Sequence, residues 1–295
     1  MRKYLPQFEY VEPGSLAQAL TMLSSLEGRE GRVLAGGTDL VTSMREKGLR
    51  PSYVLALKNA SKDLNYIQLD ADSHVLRIGA LTTIRSIECS TVLKKRFYPL
   101  VEAASQLGSY QVKNRATVGG NICNASPAAD MVPSLMVLES ELQLISSNGN
   151  RTVPIEKFFT GPGKSVIGKS ELLKEILVKE PAGVFGASFL KVARKMTGCA
   201  IVNAASFVKL NGKTVEEACV ALGSVAPVPV RARTVEHELK SRKIDDLDMS
   251  RISDMVEKDI SPIDDVRASL GYRKQLARTL VERSLELSIK RAMGE

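Results

Sequence analysis

The chain is poor in the residues that hold metals. Two histidines and four cysteines are spread over 295 residues. Cys89, Cys123, Cys199 and Cys219 stand alone, and no pair forms C-x-x-C. A zinc or iron–sulfur site needs clustered thiolates or imidazoles, so the chain is not expected to ligate one itself. Isolated cysteines also point to a reduced, cytoplasmic setting. No stretch approaches 18 uninterrupted apolar residues, which argues against a membrane span. The opening segment MRKYLPQFEY has charge but no apolar core, unlike a signal peptide. Recognisable catalytic patterns are missing too. There is no Ser–His–Asp order, no G-x-x-x-x-G-K-[ST] and no G-x-G-x-x-G. The net charge of +8 is not gathered into a stripe, and aromatics are only 5%. Lys94-Lys95-Arg96 is the one basic run, so nucleic-acid binding is not expected. Scattered cations read instead as a solvated face or a surface that meets an acidic partner.

What the chain does have is two glycine-rich segments about eighty residues apart: Leu34-Ala-Gly-Gly-Thr-Asp-Leu40 and Thr117-Val-Gly-Gly-Asn121. Glycine accepts positive φ and has no Cβ, so a ligand can approach the backbone closely. Exposed N–H groups at such turns favour an anion. Two of them suit one extended ligand with a charged middle, such as the pyrophosphate of a dinucleotide. A chain with backbone-type contacts and no acid–base cluster leaves the chemistry to a cofactor, and no side chain here is assigned a catalytic role. Purely structural roles stay open for each segment. Gly36-Gly37 also reads as a tight strand-to-helix turn capped by Thr38 or Asp39. Thr117 and Asn121 bracket Gly119-Gly120, where a high φ is expected, although a structural loop would look the same. Ser126-Pro127 reads as an N-cap followed by proline at the first helical position. Asp130 would then sit in the first turn, either compensating the helix dipole or accepting from ribose hydroxyls. Lys191 lies on an alternating strand and reads equally as an outward lysine. Cys123 reads as a small packing residue.

Hydrophobic periodicity divides the chain into three units. Residues 1–58 form a small α/β unit. Ser15-Leu-Ala-Gln18 is a capping box, Leu16, Ala19, Leu20 and Leu23 follow at helical spacing, and Gly28 marks the helix end. Strands are expected at Arg32–Ala35 and Val54–Leu57. Residues 59–178 form a second unit, with a hairpin around Asp70–Ser73, a helix over Leu100–Leu107, a helix from about Pro127 and a hairpin at Ser147–Asn150. Residues 179–295 form a third, with strands over Phe185–Ala193 and Ile201–Leu210, a hairpin at Asn211–Lys213 and a helical stripe of Ala277, Leu280, Val281, Ser284, Leu285 and Ser288.

Four segments, LAGGTDL, ATVGGNICNASPAADMVPSL, FLKVARK and LGSVAPVPVRA, resemble the FAD-binding medium subunit of the molybdenum hydroxylase and xanthine dehydrogenase family. The resemblance implies an α+β fold. Two α/β subdomains of the PCMH type would be followed by a smaller C-terminal domain with a three-stranded antiparallel sheet and helices. FAD would be the cofactor. Ala35, Gly36, Gly37, Thr38 and Asp39, with Thr117, Gly119, Gly120 and Asn121, would hold its pyrophosphate. Ser126 and Asp130 would hold the ribose or adenine side, and Lys191 would lie near the flavin ring. The implied partners are a 2Fe–2S small subunit and a molybdopterin large subunit, in a heterotrimer or a dimer of heterotrimers, with NAD or another electron acceptor. A stand-alone PCMH-type flavin oxidoreductase is the alternative. The loop Gln111-Val-Lys-Asn-Arg115, basic and next to the second glycine segment, is the expected docking point for a cluster-bearing partner.

Overall fold

The structure, a computed structural model, describes residues 4–294. Three sheets follow one another along the chain. The first is parallel, with strands β1 (Glu9–Val11), β2 (Gly31–Leu34) and β3 (Tyr53–Ala56) in the order β1-β3-β2. Parallel neighbours need crossovers, and the helices Leu16–Ser25 and Leu40–Glu46 supply them. The second is antiparallel and five-stranded. It comprises β4 (Ile67–Asp70), β5 (Val75–Gly79), β6 (Glu141–Ser146), β7 (Gly149–Pro154) and β10 (Leu172–Lys179), in the order β4-β5-β10-β6-β7. A two-stranded hairpin of β8 (Phe159–Gly161) and β9 (Lys164–Ser165) precedes β10.

The third sheet, β11 (Val184–Ala193), β12 (Ala200–Asn211), β13 (Thr214–Gly223) and β14 (Val230–Arg231), is antiparallel. It has four strands where three were expected. The fourth is two residues long, too short for any alternation to register. Both faces of this sheet are covered. Phe189, Ala205 and Phe207 join the main core with the helices Tyr98–Gln106 and Met131–Val137. Val202, Ala204 and Val208 pack with the C-terminal helix Leu270–Ala292. The six predicted stripe residues of that helix are all buried. Its approach to the sheet is close: a Cβ on Gly186 would lie 1.9 Å from the Ser288 carbonyl oxygen.

Several local expectations change. Ser15 Oγ accepts from the Gln18 amide as expected, but Gln18 Oε1 accepts from the Gly14 amide, one residue beyond the N-cap. The first helix ends at Ser25, and Gly28 is not in the left-handed region. The expected helix at Leu100–Leu107 starts earlier, at Tyr98, with Pro99 in its first turn. The segment after Ser126 is a turn, with Ser126 Oγ accepting from the Ala128 amide, and the helix begins only at Met131. Pro127 is therefore not a first helical residue, and Asp130 occupies the N-cap position without capping through its side chain.

Candidate functional site

The two glycine segments meet. A Cβ on Gly36 would lie 1.9 Å from the Arg115 carbonyl oxygen and 3.1 Å from Ala116 Cα, so this glycine lets one backbone cross the other. Gly37 has φ +78° and makes the turn into the helix Leu40–Glu46. Among the described residues, the amides of Gly36, Gly37, Thr38 and Asp39 donate to no protein acceptor. Successive unspent N–H groups around a left-handed residue form a nest for an anion.

The second segment is built differently. Val118–Cys123 is a short helix, and neither Gly119 nor Gly120 has positive φ. The high φ expected there is not needed, because the chain enters a helix directly. Four consecutive amides of this segment are already committed: Val118 to Thr82 O, Gly119 to Ala80 O, Gly120 to Thr117 Oγ1 and Asn121 to Thr117 O. What it can still offer is the Thr117 hydroxyl hydrogen and the side-chain amide of Asn121, whose Oδ1 accepts from the Met131 amide. The two glycines also differ. A Cβ on Gly119 would strike Ala80 O at 2.6 Å, which is a packing constraint. One on Gly120 would meet only Thr117 Oγ1, at 3.0 Å, and otherwise enter open space.

That open space belongs to a groove of about 650 Å³, within the ordinary range of about 300–1,000 Å³ for ligand pockets. Eleven of the twelve sequence-predicted residues line it: Ala35 to Asp39, Thr117, Gly119, Gly120, Asn121, Ser126 and Asp130. Lys191 does not reach the lining; it stands directly behind it. Its Nζ donates to Asp130 Oδ2 at 2.6 Å and to Gln106 O at 3.0 Å, so it is not the outward lysine its strand position allowed. Asp130 and Lys191 therefore cannot serve opposite ends of one long ligand. Asp130 Oδ1 also accepts from Asn203 at 2.9 Å. Burial holds the Asp130 carboxyl above the ordinary carboxylate range, with Lys191 and Asn203 opposing. Asp39 is likewise raised by burial, with Lys47 opposing.

Sequence reasoning missed three parts of the wall. One is Gly31, Arg32 and Val33 on β2; another is Ile167–Lys169 with Glu171 to Leu173; the third is Thr197–Cys199 between β11 and β12. Gly198, punctuating two alternating runs, was the only signal for the last. Arg32 and Lys169 make no salt bridge among the described residues, whereas Glu171 is consumed by Arg151 at 2.7 and 2.8 Å and by the Gly168 amide. The uncommitted wall thus offers amides, hydroxyls and two cations to an anionic ligand. Cys123 opens onto the groove instead of packing, although protein atoms crowd its other sides and push the thiol to about 12.

The expected docking loop fares differently. Lys113 is buried, with Nζ on Glu88 Oε1 at 2.6 Å and on Ser105 O at 3.1 Å. It is a structural ion pair, not a free surface cation, which leaves Arg115 as the loop's exposed charge.

Residues 6–180 match the family model for the FAD binding domain in molybdopterin dehydrogenase. Residues 187–287 match that for the CO dehydrogenase flavoprotein C-terminal domain. The chain is 33% identical to the glyceraldehyde dehydrogenase medium chain of Sulfolobus acidocaldarius, over 96% of this chain and 99% of that one. It is 28% identical to the xanthine dehydrogenase FAD-binding subunit of Escherichia coli O157:H7, over 97% of each. Among solved structures, a chain of the carbon monoxide dehydrogenase of Hydrogenophaga pseudoflava superposes with a TM-score of 0.93 at 29% identity, covering 98% of this chain and 99% of that one.

Proposed function

The chain belongs to the family of FAD-binding subunits of molybdopterin dehydrogenases, and on that premise we propose that it is the electron-relay subunit of a multi-subunit molybdenum hydroxylase. Its cofactor is FAD and its class is oxidoreductase. The finer reading is that the chain takes electrons from 2Fe–2S clusters of a small subunit and delivers them to NAD or another acceptor. A molybdopterin large subunit would complete a heterotrimer or a dimer of heterotrimers. The cytoplasm is the proposed compartment, on the strength of the four free cysteines.

The observation that carries the reading is the run of four unspent amides at Gly36–Asp39, facing a groove into which a Cβ on Gly120 would project. Those amides would hold the pyrophosphate, helped by the Thr38 and Thr117 hydroxyls and by Asn121. The adenosine end would lie toward β2 and Ile167–Leu173, where Arg32 and Lys169 supply positive charge. The isoalloxazine end would lie toward the third sheet, beside Asp130, with Lys191 behind it. Ser126, whose hydroxyl already accepts from Ala128, would line the wall between. Bound FAD supplies the two-electron store; the chain's own residues bind it, orient it and shield its phosphates from water. We take 1–58 and 59–178 as the two FAD-binding subdomains and 179–295 as the C-terminal domain.

The test is purification of the native assembly. Molybdenum, iron and flavin should co-purify in fixed ratio, and the flavin should be reduced when substrate is added. A yellow chain free of molybdenum and iron that turns over a substrate alone would establish the stand-alone oxidoreductase instead.

A further inference from the structure

The motif LGSVAP, Leu222 to Pro227, touches no part of the groove, yet it lies at the rear of the Asp130–Lys191 pair. In the third sheet Lys191 pairs in register with Asn203, and Asn203 pairs with Gly223. One row of the sheet thus runs from β11 through β12 to β13. Asp130 enters that row from the FAD-binding part, and Pro127 O accepts from the Ser224 amide at 2.8 Å. Asn203 is fully buried. Its Nδ2 donates to Asp130 Oδ1 at 2.9 Å, while its Oδ1 has no partner. The amide cannot be turned to relieve this, because the oxygen would then face the Asp130 carboxylate. A buried polar atom left unsatisfied calls for a reason, and here the donor side of the amide is the half in use. Gly223 opens the necessary space: a Cβ there would lie 2.3 Å from Asn203 Oδ1 and 2.9 Å from Pro127 O.

We propose that Asn203, given room by Gly223, is a positioning residue that locks the Asp130–Lys191 pair at the flavin-ring end of the groove. The inference rests on the FAD reading above and assigns a task to a motif which that reading left idle. Asn203 touches no groove space itself. It acts by denying Asp130 any other rotamer, so that Lys191 keeps its place between Asp130 and the Gln106 carbonyl. The third sheet and the Pro127–Asp130 turn are thereby held in one register at the wall.

The experiment uses the full chain freed of flavin, with FAD and ADP as separate probes. ADP carries the adenine and pyrophosphate but no ring system. Asn203→Leu removes both the donor and the orphaned oxygen; Gly223→Ala displaces Asn203 without altering it. Each variant should weaken FAD about tenfold, the scale of a lost hydrogen bond to a charged group, while ADP affinity stays at the parent value. Melting of the flavin-free Asn203→Leu chain should fall by no more than a few degrees, because losing the unsatisfied oxygen offsets part of the cost of losing the donor to Asp130 Oδ1. Equal losses for FAD and ADP, or a flavin-free variant that no longer folds, would mark Asn203 as merely structural and overturn the proposal. Parent-like FAD affinity in both variants would overturn it as well, leaving the flavin reading intact. A parent chain that takes up no FAD would fail both.

Discussion

Gly120→Ala separates fold from site. Gly120 is helical, so alanine there should lower the entropy of the unfolded chain and add about 0.5–1 kcal/mol. The new Cβ sits 3.0 Å from Thr117 Oγ1, a contact the hydroxyl can relieve by a small shift. The flavin-free variant should therefore melt level with the parent or up to about 4 °C above it, at about 2–4 °C per kcal/mol for large domains. Ligand binding should behave otherwise, since the methyl occupies space proposed for the pyrophosphate. An overpacking cost of about 1–3 kcal/mol corresponds to an affinity loss of about 5- to 150-fold. At a FAD concentration of about 100 times the parent Kd, linkage stabilises the parent by about 2.7 kcal/mol, and a variant weakened about 100-fold by only about 0.4 kcal/mol. The FAD-induced rise in Tm should thus shrink from about 5–10 °C to about 1–2 °C. Gly36→Ala is the control. Its Cβ would lie 1.9 Å from backbone, with no side chain able to yield, so the flavin-free protein itself should lose at least about 1–3 kcal/mol. The assay is calorimetry with and without FAD. A Gly120→Ala protein that keeps the parent's FAD-induced shift would refute the site; a Gly36→Ala protein as stable as the parent would refute the crossing of the two segments.

Three further outcomes are expected. Lys191→Met should cost about 3–5 kcal/mol at neutral pH by stranding the buried Asp130 carboxylate. Because Asp130 already titrates above its unfolded value of 3.8, the stability it contributes is complete below that value and lost as pH rises through the folded one. The substitution extends that loss upward, so the Tm deficit should shrink on going from pH 7 toward pH 5, and a deficit independent of pH would contradict it. Lys113→Met should leave flavin content intact but lower stability by about 1–3 kcal/mol, with thermal melts as the check; loss of partner binding at unchanged Tm would return Lys113 to a docking role. Gly186→Ala should push the C-terminal helix from the third sheet, given the 1.9 Å approach to Ser288 O, and lower Tm by several degrees; a parent-like melt would show the packing to be looser than described.

Much of the third unit was legible because both of its signals are strong. Alternation over Phe185–Ala193 and a six-residue helical stripe are each fixed by which side chains leave water. The turn chemistry around Ser126 was not legible. Serine before proline satisfies the N-cap rule locally, but Asp130 is drawn into a buried pair with Lys191, 61 residues away, and the helix starts where that contact permits. The glycine segments were found, yet their division of labour was hidden. Whether an amide is free depends on what lies across from it, and Ala80 and Thr82, which take the second segment's donors, are marked by nothing in the sequence. Lys113 misled for the same reason: Glu88 is 25 residues away and on another helix.

The groove draws its wall from all three sheets: β2 from the first, Leu172 and Leu173 of β10 from the second, and the β11–β12 loop from the third. No unit contains the site alone, so an occupant that spans it stabilises the arrangement of the units as well as its own contacts. The Asp130 pair with Lys191 and the Ser224 bond to Pro127 already tie the second unit to the third. Among the described residues the first unit has no ion pair of that kind at the groove; there it meets the second through the Gly36–Arg115 backbone crossing and the apolar packing of Leu57 with Leu172 and Leu81. Protection of β2 amides from hydrogen exchange should therefore rise on FAD binding more than protection of β12. Equal gains in the two strands would mean that the first unit is already as firmly held as the third, and that the ligand adds nothing to the joint between them.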